Sequence, residues 1–433
     1  MVARWIAAGW LVAAAAGCAA PSGGGERASA AADVARDAAE LGSVGAPPVA
    51  LQCARVLTVD DEDRIFSPGT LLLRDGRIEY VGAAIETPPG YREIDHREGW
   101  AFPGLVDLHT HIHTGAWGSR DGYLGDDHPI LRPVNPELST GSSLRPSNPL
   151  VRLACAGGVT TVFGIPGSGI AMSGFGVLYK TKTNATFDEA VLASPGGLKV
   201  AQTHNPERYR AATGDLGSTR AGMSWTLEDL NDRAVAALEQ GRFDPALENL
   251  KKVHSGELPV LIHCAAAQGV ANTVRMWKGA YDTRCVVSHG SFTGYRVADW
   301  VAEQGVPVNH GPRTLDYFSS RSGAIVPTSR IYSEAGANFS LNTDSPIFPS
   351  EELFLQGTTT ARQGVDSYAA LRALTIHPAR SFGIDDRVGS LEVGKDADIV
   401  ISTGSLLDPR EHVELVVIDG SVQYAREKDG QWF

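Results

Sequence analysis

His109 and His111 lie two positions apart at the end of an apolar run that starts at Phe102. On a β-strand, residues two apart point to the same face, so the two imidazoles would lie about 6 to 7 Å apart along the chain. Imidazole is the commonest metal ligand among protein side chains. The spacing therefore predicts that both histidines bind the same metal ion.

Three further apolar runs end in residues that can bind a metal ion. These runs, at 259–263, 285–289 and 339–344, end in His263, His289 and Asp344. A single histidine in an apolar run is more often a packed core residue than a ligand. Several strands that each end in a reactive residue are, however, typical of a parallel barrel, in which different strands supply one active site. The pattern predicts a metallohydrolase.

These residues resemble the amidohydrolase superfamily, and within it the imidazolonepropionase-like and prolidase-like members. The resemblance covers about residues 50–425 and rests on Pro-Gly-Leu-Val-Asp-Leu-His-Thr-His at 103–111 and on the three downstream ligands. It continues through Ile-His-Pro-Ala-Arg-Ser-Phe-Gly at 376–383 and the segment 387–401, which is close to diagnostic of the superfamily. The resemblance implies an α/β fold, a (β/α)8 TIM barrel with a small composite β-sandwich domain formed by the N- and C-terminal segments.

Length and patterning agree with one large barrel and a small second domain, because 433 residues with 43% hydrophobic content can bury a core of that size. The predicted division is a β-sandwich part at 50–100, the barrel at 101–385 and the second sandwich part at 386–433. Hairpin turns are expected at Asp75-Gly76 and Asp419-Gly420. Residues 113–148 are rich in Gly, Asp and Pro and are expected to form a long active-site loop. The eight barrel strands are expected at 105–109, 160–163, 176–179, 198–201, 260–263, 285–288, 306–309 and 337–342.

Lys199 lies inside the apolar run 197–201. A buried ammonium group without a partner is strongly disfavoured, so this lysine must be paired, neutral or modified. In the superfamily that the chain resembles, a lysine on the fourth strand reacts with carbon dioxide, and the resulting carbamate bridges two metal ions. Lys199 matches that position. A lysine paired with Asp107 or another carboxylate is the alternative interpretation.

The resemblance implies one or two divalent ions per chain, and a carbamylated lysine favours two. The ligands would be His109, His111, Lys199 and Asp344 for one ion, and Lys199, His263 and His289 for the other. Imidazole and oxygen ligands suit Zn2+, while Mn2+, Co2+ and Fe2+ are also compatible with them. Such ions lower the pKa of bound water, so that hydroxide forms near neutral pH. Asp344 would accept the proton and pass it to the leaving group.

The predicted reaction is hydrolysis of a carbon–nitrogen bond in an amide, a cyclic amide or a dipeptide. The deaminase branch of the superfamily carries a glutamate three residues after the histidine of strand 5, whereas this chain has Ala266 there. Lactone or phosphotriester hydrolysis at the same site is an alternative, because one activated hydroxide can attack different bonds. A surface lipoprotein that binds a ligand without turnover is an alternative of another class. Substrate contacts are expected from His310, Tyr179 and Arg313.

The N-terminus has the pattern of an export signal. Arg4 precedes the apolar residues 5–16, and the small residues Ala-Ala-Gly at 15–17 lead to Cys18. This pattern predicts a signal peptide at 1–17, a lipidated Cys18 and a disordered tether at 18–49, rich in Ala, Gly, Ser and Pro. The chain would then be a membrane-anchored lipoprotein of the outer membrane, facing the periplasm. An ordinary cleaved signal peptide with an incidental cysteine is the alternative.

The net charge restricts the partners that the chain can bind, and the contexts of the cysteines predict their redox state. A net charge of −12 and the absence of basic clusters argue against nucleic acid, whose phosphates are bound by Lys and Arg, and leave a small molecule as the partner. Four cysteines remain after Cys18, and each lies in an apolar context that predicts a buried free thiol. They are Cys53, Cys155, Cys264 and Cys285.

Overall fold

A computed structural model of the chain describes residues 47–114, 132–208, 219–320 and 322–430. The predicted signal peptide, Cys18 and the tether up to residue 46 lie outside the described residues, as do residues 115–131 of the predicted long loop. Among the helices of the described part, none combines the length and the apolar character that crossing a membrane requires.

The strands of the described residues form two large sheets and one small hairpin. In chain order they are β1 Val49–Leu57, β2 Ile65–Phe66, β3 Gly69–Arg74, β4 Arg77–Ala83, β5 Arg92–Pro103, β6 Leu105–Thr110, β7 Val159–Gly164, β8 Met172–Lys180, β9 Val191–Ala201, β10 Val260–Cys264, β11 Cys285–His289, β12 Val308–His310, β13 Leu315–Asp316, β14 Val326–Pro327, β15 Phe339–Leu341, β16 Ile399–Ser402, β17 Val413–Ile418 and β18 Ser421–Ala425.

The two ends of the described chain share one sheet. Its order is β18–β17–β16–β5–β1–β3–β4, with β2 paired to β1. Each predicted Asp-Gly turn is present, since Asp75, Gly76, Asp419 and Gly420 all have positive φ angles of 48 to 77°. Two consecutive residues at positive φ define the tight hairpin turn that Asn-Gly and Asp-Gly favour. The strands form one continuous sheet, and the expected two-sheet sandwich is not confirmed.

The second large sheet is a nearly closed barrel with the order β15–β12–β11–β10–β9–β8–β7–β6. Its two edges meet where Thr110 pairs with Ser345, and the backbone N–H of His111 donates to the Ser345 carbonyl at 2.9 Å. The strand positions agree with those expected to within a few residues, except that β8 begins at Met172 and β9 at Val191. The TIM-barrel-like fold is thus present, and the positions of its strands were predicted from the sequence.

One strand departs from the expected parallel barrel. β8 runs antiparallel to both of its neighbours, β7 and β9. Residues 165–171 connect β7 to β8, and a parallel crossover connection needs a dozen residues or more. The prediction of eight parallel strands was therefore wrong for the third strand, because the linker before it is too short to return to the starting edge of the sheet.

Helices follow most of the later strands and cover the barrel. The helix Pro149–Ala156 begins where the Asn148 side chain accepts from the Leu150 N–H, with proline at the first helical position, as is common at helix starts. The other α-helices are Phe187–Ala190, Asn205–Arg208, Arg220–Glu239, Glu248–His254, Ala267–Val274, Ala298–Glu303, Thr328–Glu334, Leu353–Arg362, Ser367–Leu374, Ile376–Phe382 and Arg426–Asp429. Short 3-10 turns occur at Thr140–Ser143, Phe292–Val297 and Ser350–Glu352, and a π-helical turn occurs at Arg275–Ala280.

A buried ionic cluster joins the barrel to the terminal sheet. The Lys180 ammonium on β8 lies 2.6 Å from Asp396, 3.0 Å from Asp398 and also contacts Asp419. The Lys180, Asp396 and Asp398 side chains are at most 3% exposed. Because a buried cation needs compensating carboxylates, this cluster fixes how the two sheets meet.

The four predicted free thiols Cys53, Cys155, Cys264 and Cys285 are all buried and free.

Candidate metal centre

The predicted ligands meet at the carboxyl end of the barrel. His109 lies near the end of β6 and His111 directly after it, while His263 and His289 lie at the ends of β10 and β11. Asp344 follows β15 by three residues. Since the strands that carry these ligands are parallel, their carboxyl ends lie on one side of the barrel, where barrel enzymes place their active sites.

Two groups of side chains could each hold a metal ion. One consists of His109, His263 and His289, and the other of His109, His111 and Asp344, with the ligand atoms of each group within 4.8 Å of one another. His109 therefore belongs to both groups. The sequence interpretation divided the same five residues into two sets but placed Lys199, not His109, in both.

Contacts between the ligand atoms are short. Asp344 Oδ1 lies 3.2 Å from His109 Nε2 and 3.4 Å from His111 Nε2. In the other group His289 Nε2 lies 2.8 Å from His263 Nδ1. Lys199 joins the two groups, because its Nζ lies 2.9 Å from His109 Nε2. Polar atoms at these distances converge on one small volume, as a metal centre requires.

Hydrogen bonds behind the histidines orient their rings. The Nδ1 atoms of His111 and His289 lie 2.8 Å and 2.6 Å from the carbonyl oxygens of Ile165 and Gly311. A carbonyl oxygen only accepts, so each Nδ1 donates its hydrogen and each Nε2 lone pair faces the centre. His109 Nδ1 lies 2.5 Å from Ser288 Oγ on the neighbouring strand β11.

Asp107 is a residue of the site that the sequence interpretation considered only as a partner of Lys199. Its buried carboxylate accepts from the hydroxyl and the backbone N–H of Thr343 and from the backbone N–H of His109. Asp107 thus ties β6 to the segment that carries Asp344, and a carboxylate in an apolar strand was the signal that pointed to it. Burial raises the pKa of Asp107 to about 7.

Burial also sets the ionisation of the ligands. It holds the pKa values of His109 and His263 well below the ordinary value, and nearby positive charges, including Lys199, lower them further. Burial alone would raise the pKa of Asp344, but the imidazoles of His109 and His111 beside its carboxylate favour the ionised form and hold the pKa well below the usual range. Neutral imidazoles and an ionised carboxylate are the forms that bind metal ions.

Two ligands have an unusual backbone conformation. His289 has a φ angle of 72° and Asp344 one of 49°, both in the left-handed region. Residues with a Cβ adopt this region rarely, and in proteins it is concentrated at functional sites. The conformation turns both side chains off the ends of their strands and toward the shared centre.

A cavity of about 410 Å³ opens above the centre. Four predicted ligands, His111, His263, His289 and Asp344, line it, and the predicted substrate residue Arg313 does so as well. Its other polar lining includes Ser168, His204, Asn205 and Ser291. The volume is sufficient for a small organic molecule.

Two predicted substrate residues do not line this cavity in the described structure. His310 is buried, its Nδ1 lying 2.6 Å from the His289 carbonyl and its Nε2 2.9 Å from the Thr328 hydroxyl. His310 therefore supports the strand end that carries His289. Tyr179 is fully buried in the main hydrophobic core, on the antiparallel strand β8. The substrate contact expected from Tyr179 therefore remains a prediction, with the side chain placed in the core and not in the described cavity lining.

Comparison with known proteins extends across most of the chain. Residues 241–423 match the Amidohydrolase family model, and this span contains His263, His289 and Asp344. The chain is 24% identical over 395 residues to an imidazolonepropionase of Thermoplasma acidophilum, covering 85% of this chain and 92% of that protein. It is 23% identical over 382 residues to a 5-methylthioadenosine/S-adenosylhomocysteine deaminase of Syntrophobacter fumaroxidans, covering 80% of this chain and 82% of that protein.

A solved structure has a similar fold. The crystal structure of an amidohydrolase from Thermotoga maritima superimposes with a TM-score of 0.79 at 28% sequence identity. The match covers 87% of this chain and all of that one.

Proposed function

We propose that this chain is a metal-dependent hydrolase of the amidohydrolase superfamily and that it cleaves an amide, a cyclic amide or a dipeptide. The relatives described above include an imidazolonepropionase and a deaminase, both of which act on carbon–nitrogen bonds. The observation that carries the proposal is the pair of ligand groups that share His109 at the base of a cavity.

The side chains fit a divalent metal. Each group offers three nitrogen or oxygen ligands, and backbone carbonyls hold the rings of His111 and His289 with Nε2 facing inward. Imidazole and carboxylate ligands of this kind suit Zn2+, and one or two ions with Lys199 as a carbamylated bridge are part of the proposal. When bound, such an ion polarises a carbonyl group and makes water more acidic.

The protein's own contribution is positioning and proton transfer. Asp344 lines the cavity beside His109 and His111, so its carboxylate can accept a proton from water there and donate it to the departing nitrogen. Asp107 holds Asp344 indirectly, through its hydrogen bonds to the adjacent Thr343. A group held in this way needs little reorganisation during the reaction.

The residue at one position, Ala266, favours amide hydrolysis over deamination. Ala266 lies three residues after His263, at the start of the helix Ala267–Val274 and next to the cavity-lining Ala265. An alanine cannot donate or accept a proton, so the side chain at this position offers no proton transfer to a ring nitrogen. The proposed substrate is therefore one in which Asp344 alone handles the proton.

The test is a hydrolysis assay of the purified full chain on dipeptides, N-acyl amino acids, hydantoins, lactones and phosphotriesters. We expect turnover of a carbon–nitrogen substrate that is lost with a chelator and restored by Zn2+. Asp344→Asn should lower kcat by about 100-fold or more, because it keeps the shape but removes the base.

The matched control is Asp299→Asn, the same change at an exposed position outside the cavity, which should leave kcat unchanged. Faster turnover of lactones or phosphotriesters would contradict amide hydrolysis and support the alternative, a lactone or phosphotriester hydrolase. Tight metal binding without turnover of any of these compounds would indicate a ligand-binding protein.

We also propose that the chain is exported and anchored by a lipid on Cys18. The support is the sequence pattern alone, a basic residue, an apolar stretch and small residues before the cysteine.

A further inference from the structure

Arg313 is a cavity residue whose role the proposed mechanism leaves open. It follows β12 by three residues and lines the same cavity as His289 and Asp344. Among the described residues that line the cavity, it is the only lysine or arginine. The carboxylate of Asp344 in that lining contacts His109 and His111 instead. Within the described chain, Arg313 forms no ion pair with an aspartate or glutamate.

Aromatic rings hold the Arg313 side chain in place. Its guanidinium carbon lies 5.0 Å from the ring centre of Phe292 and 5.0 Å from that of Phe318. Phe292 in turn stacks on His204, with ring centres 5.2 Å apart and planes 10° from parallel. Contacts of this kind use the face of the guanidinium and leave the N–H groups at its edge able to donate. These contacts favour a position of the side chain between the two rings.

Such a group is suited to one kind of ligand. A planar guanidinium with free edge donors binds a carboxylate through two parallel hydrogen bonds. Arg313 lines the cavity but is itself exposed, so its guanidinium is accessible to an anion that enters the cavity.

We propose that Arg313 binds a carboxylate of the substrate, so that the enzyme acts on amides carrying a free carboxylate. Dipeptides with a free C-terminus, N-acyl amino acids and cyclic amides with an acidic side chain belong to this class. The inference rests on the proposed function, because only an active enzyme would have this ligand as its substrate. The carboxylate site itself can be tested without turnover.

The direct test measures binding of two matched probes without a hydrolysable bond, 4-oxopentanoate and its neutral analogue hexane-2,5-dione, to the metal-containing full chain by calorimetry. Wild type should bind the carboxylate at least about tenfold more tightly, as a charge-assisted hydrogen-bonded pair would give. Arg313→Gln should abolish this difference and leave the affinity for the neutral probe unchanged. Arg313→Lys should retain part of it, since lysine keeps the charge but not the paired donors.

The matched control is Arg275→Gln. Arg275 also lies against an aromatic ring, 5.5 Å from the centre of Trp300, but it is not among the residues that line the cavity. The Arg275→Gln substitution changes the net charge by the same amount as Arg313→Gln. We expect it to bind both probes like wild type. No carboxylate preference in wild type, or the same preference in Arg313→Gln, overturns the proposal.

Kinetics separate this inference from the proposed function. If wild type hydrolyses dipeptides, Arg313→Gln should reduce kcat/KM for the free acid and not for the C-terminal carboxamide, with the change mainly in KM. If no amide is hydrolysed while the probe result holds, the proposed function is wrong and the carboxylate site stands. If amides are hydrolysed with equal preference before and after the substitution, the Arg313 assignment is wrong and the proposed function stands.

Discussion

Lys199 Nζ lies 2.9 Å from His109 Nε2, and both side chains are fully buried. His109 is the residue that the two candidate metal groups share. The lysine nitrogen therefore lies beside the histidine common to both groups, and a carbamate formed on it would add oxygen ligands to those of the two groups.

Replacing Lys199 should lower the metal content. A neutral lysine nitrogen can add to the carbon of carbon dioxide and lose a proton, which gives an anionic carbamate with two oxygen ligands. We expect close to two divalent ions per chain in wild type and fewer in Lys199→Ala, measured by elemental analysis of protein purified without chelator. Lys252→Ala, which removes an exposed lysine, is the control and should retain the wild-type content. Equal metal content in all three proteins would contradict a bridging role for Lys199.

The Lys180 cluster should dominate the stability of the junction between the two sheets. Lys180→Met removes a fully buried cation and leaves the buried Asp398 without its ammonium partner, whereas Asp396 keeps Arg77 and Arg387, so the free energy of unfolding should fall by about 3 to 5 kcal/mol. Lys182→Met is the comparison, because Lys182 is 19% exposed and contacts Asp419 alone among these carboxylates, and it should cost about 1 kcal/mol or less. Urea denaturation measures both. Similar losses for the two variants would show that the cluster does not carry the junction.

His254 should make the protein less stable in mild acid. Burial lowers the pKa of His254 to about 4, and its Nε2 lies 2.9 Å from Asn231 Oδ1. The unfolded chain takes up a proton at this histidine near pH 6.5, whereas the folded chain does so only near pH 4. The unfolded state then binds more protons between these values, so stability falls as the pH is lowered through that range.

The comparison of wild type with His254→Gln isolates this contribution, because the other buried histidines are present in both proteins. The free energy of unfolding, measured by urea titration between pH 4.5 and 7, should depend less steeply on pH in the variant. The same slope in both proteins would mean that His254 titrates normally in the folded state.

Cys18 should determine where the protein is found. In a bacterial host that processes lipoproteins, wild type should appear in the membrane fraction, since a diacylated and acylated cysteine anchors more firmly than a single chain. Cys18→Ser lacks the acceptor thiol, yet residues 50–433 are unchanged, so it should be hydrolytically active wherever it accumulates. Wild type and variant both recovered as soluble periplasmic protein would instead indicate an ordinary secretory signal.

The candidate ligands and most strand positions were predictable from the sequence because each depends on short-range patterns. An apolar run that ends in histidine or aspartate marks the end of a buried strand, as at His263 and Asp344. An Asp-Gly pair marks a tight turn because glycine and aspartate tolerate positive φ angles, as at Asp75-Gly76. These features depend on neighbouring residues, so local sequence determines them.

Other features were decided only when distant segments packed together. One is the antiparallel pairing of β8 with both β7 and β9, and another is the burial of Tyr179 in the core. Likewise, packing makes His109 common to both groups of candidate ligands, and it brings Lys180 to carboxylates more than 200 residues away in the chain. Sequence patterns identify which side chains can do chemistry, whereas the distances between them arise from three-dimensional packing, because contacts across a barrel join residues with no local relation.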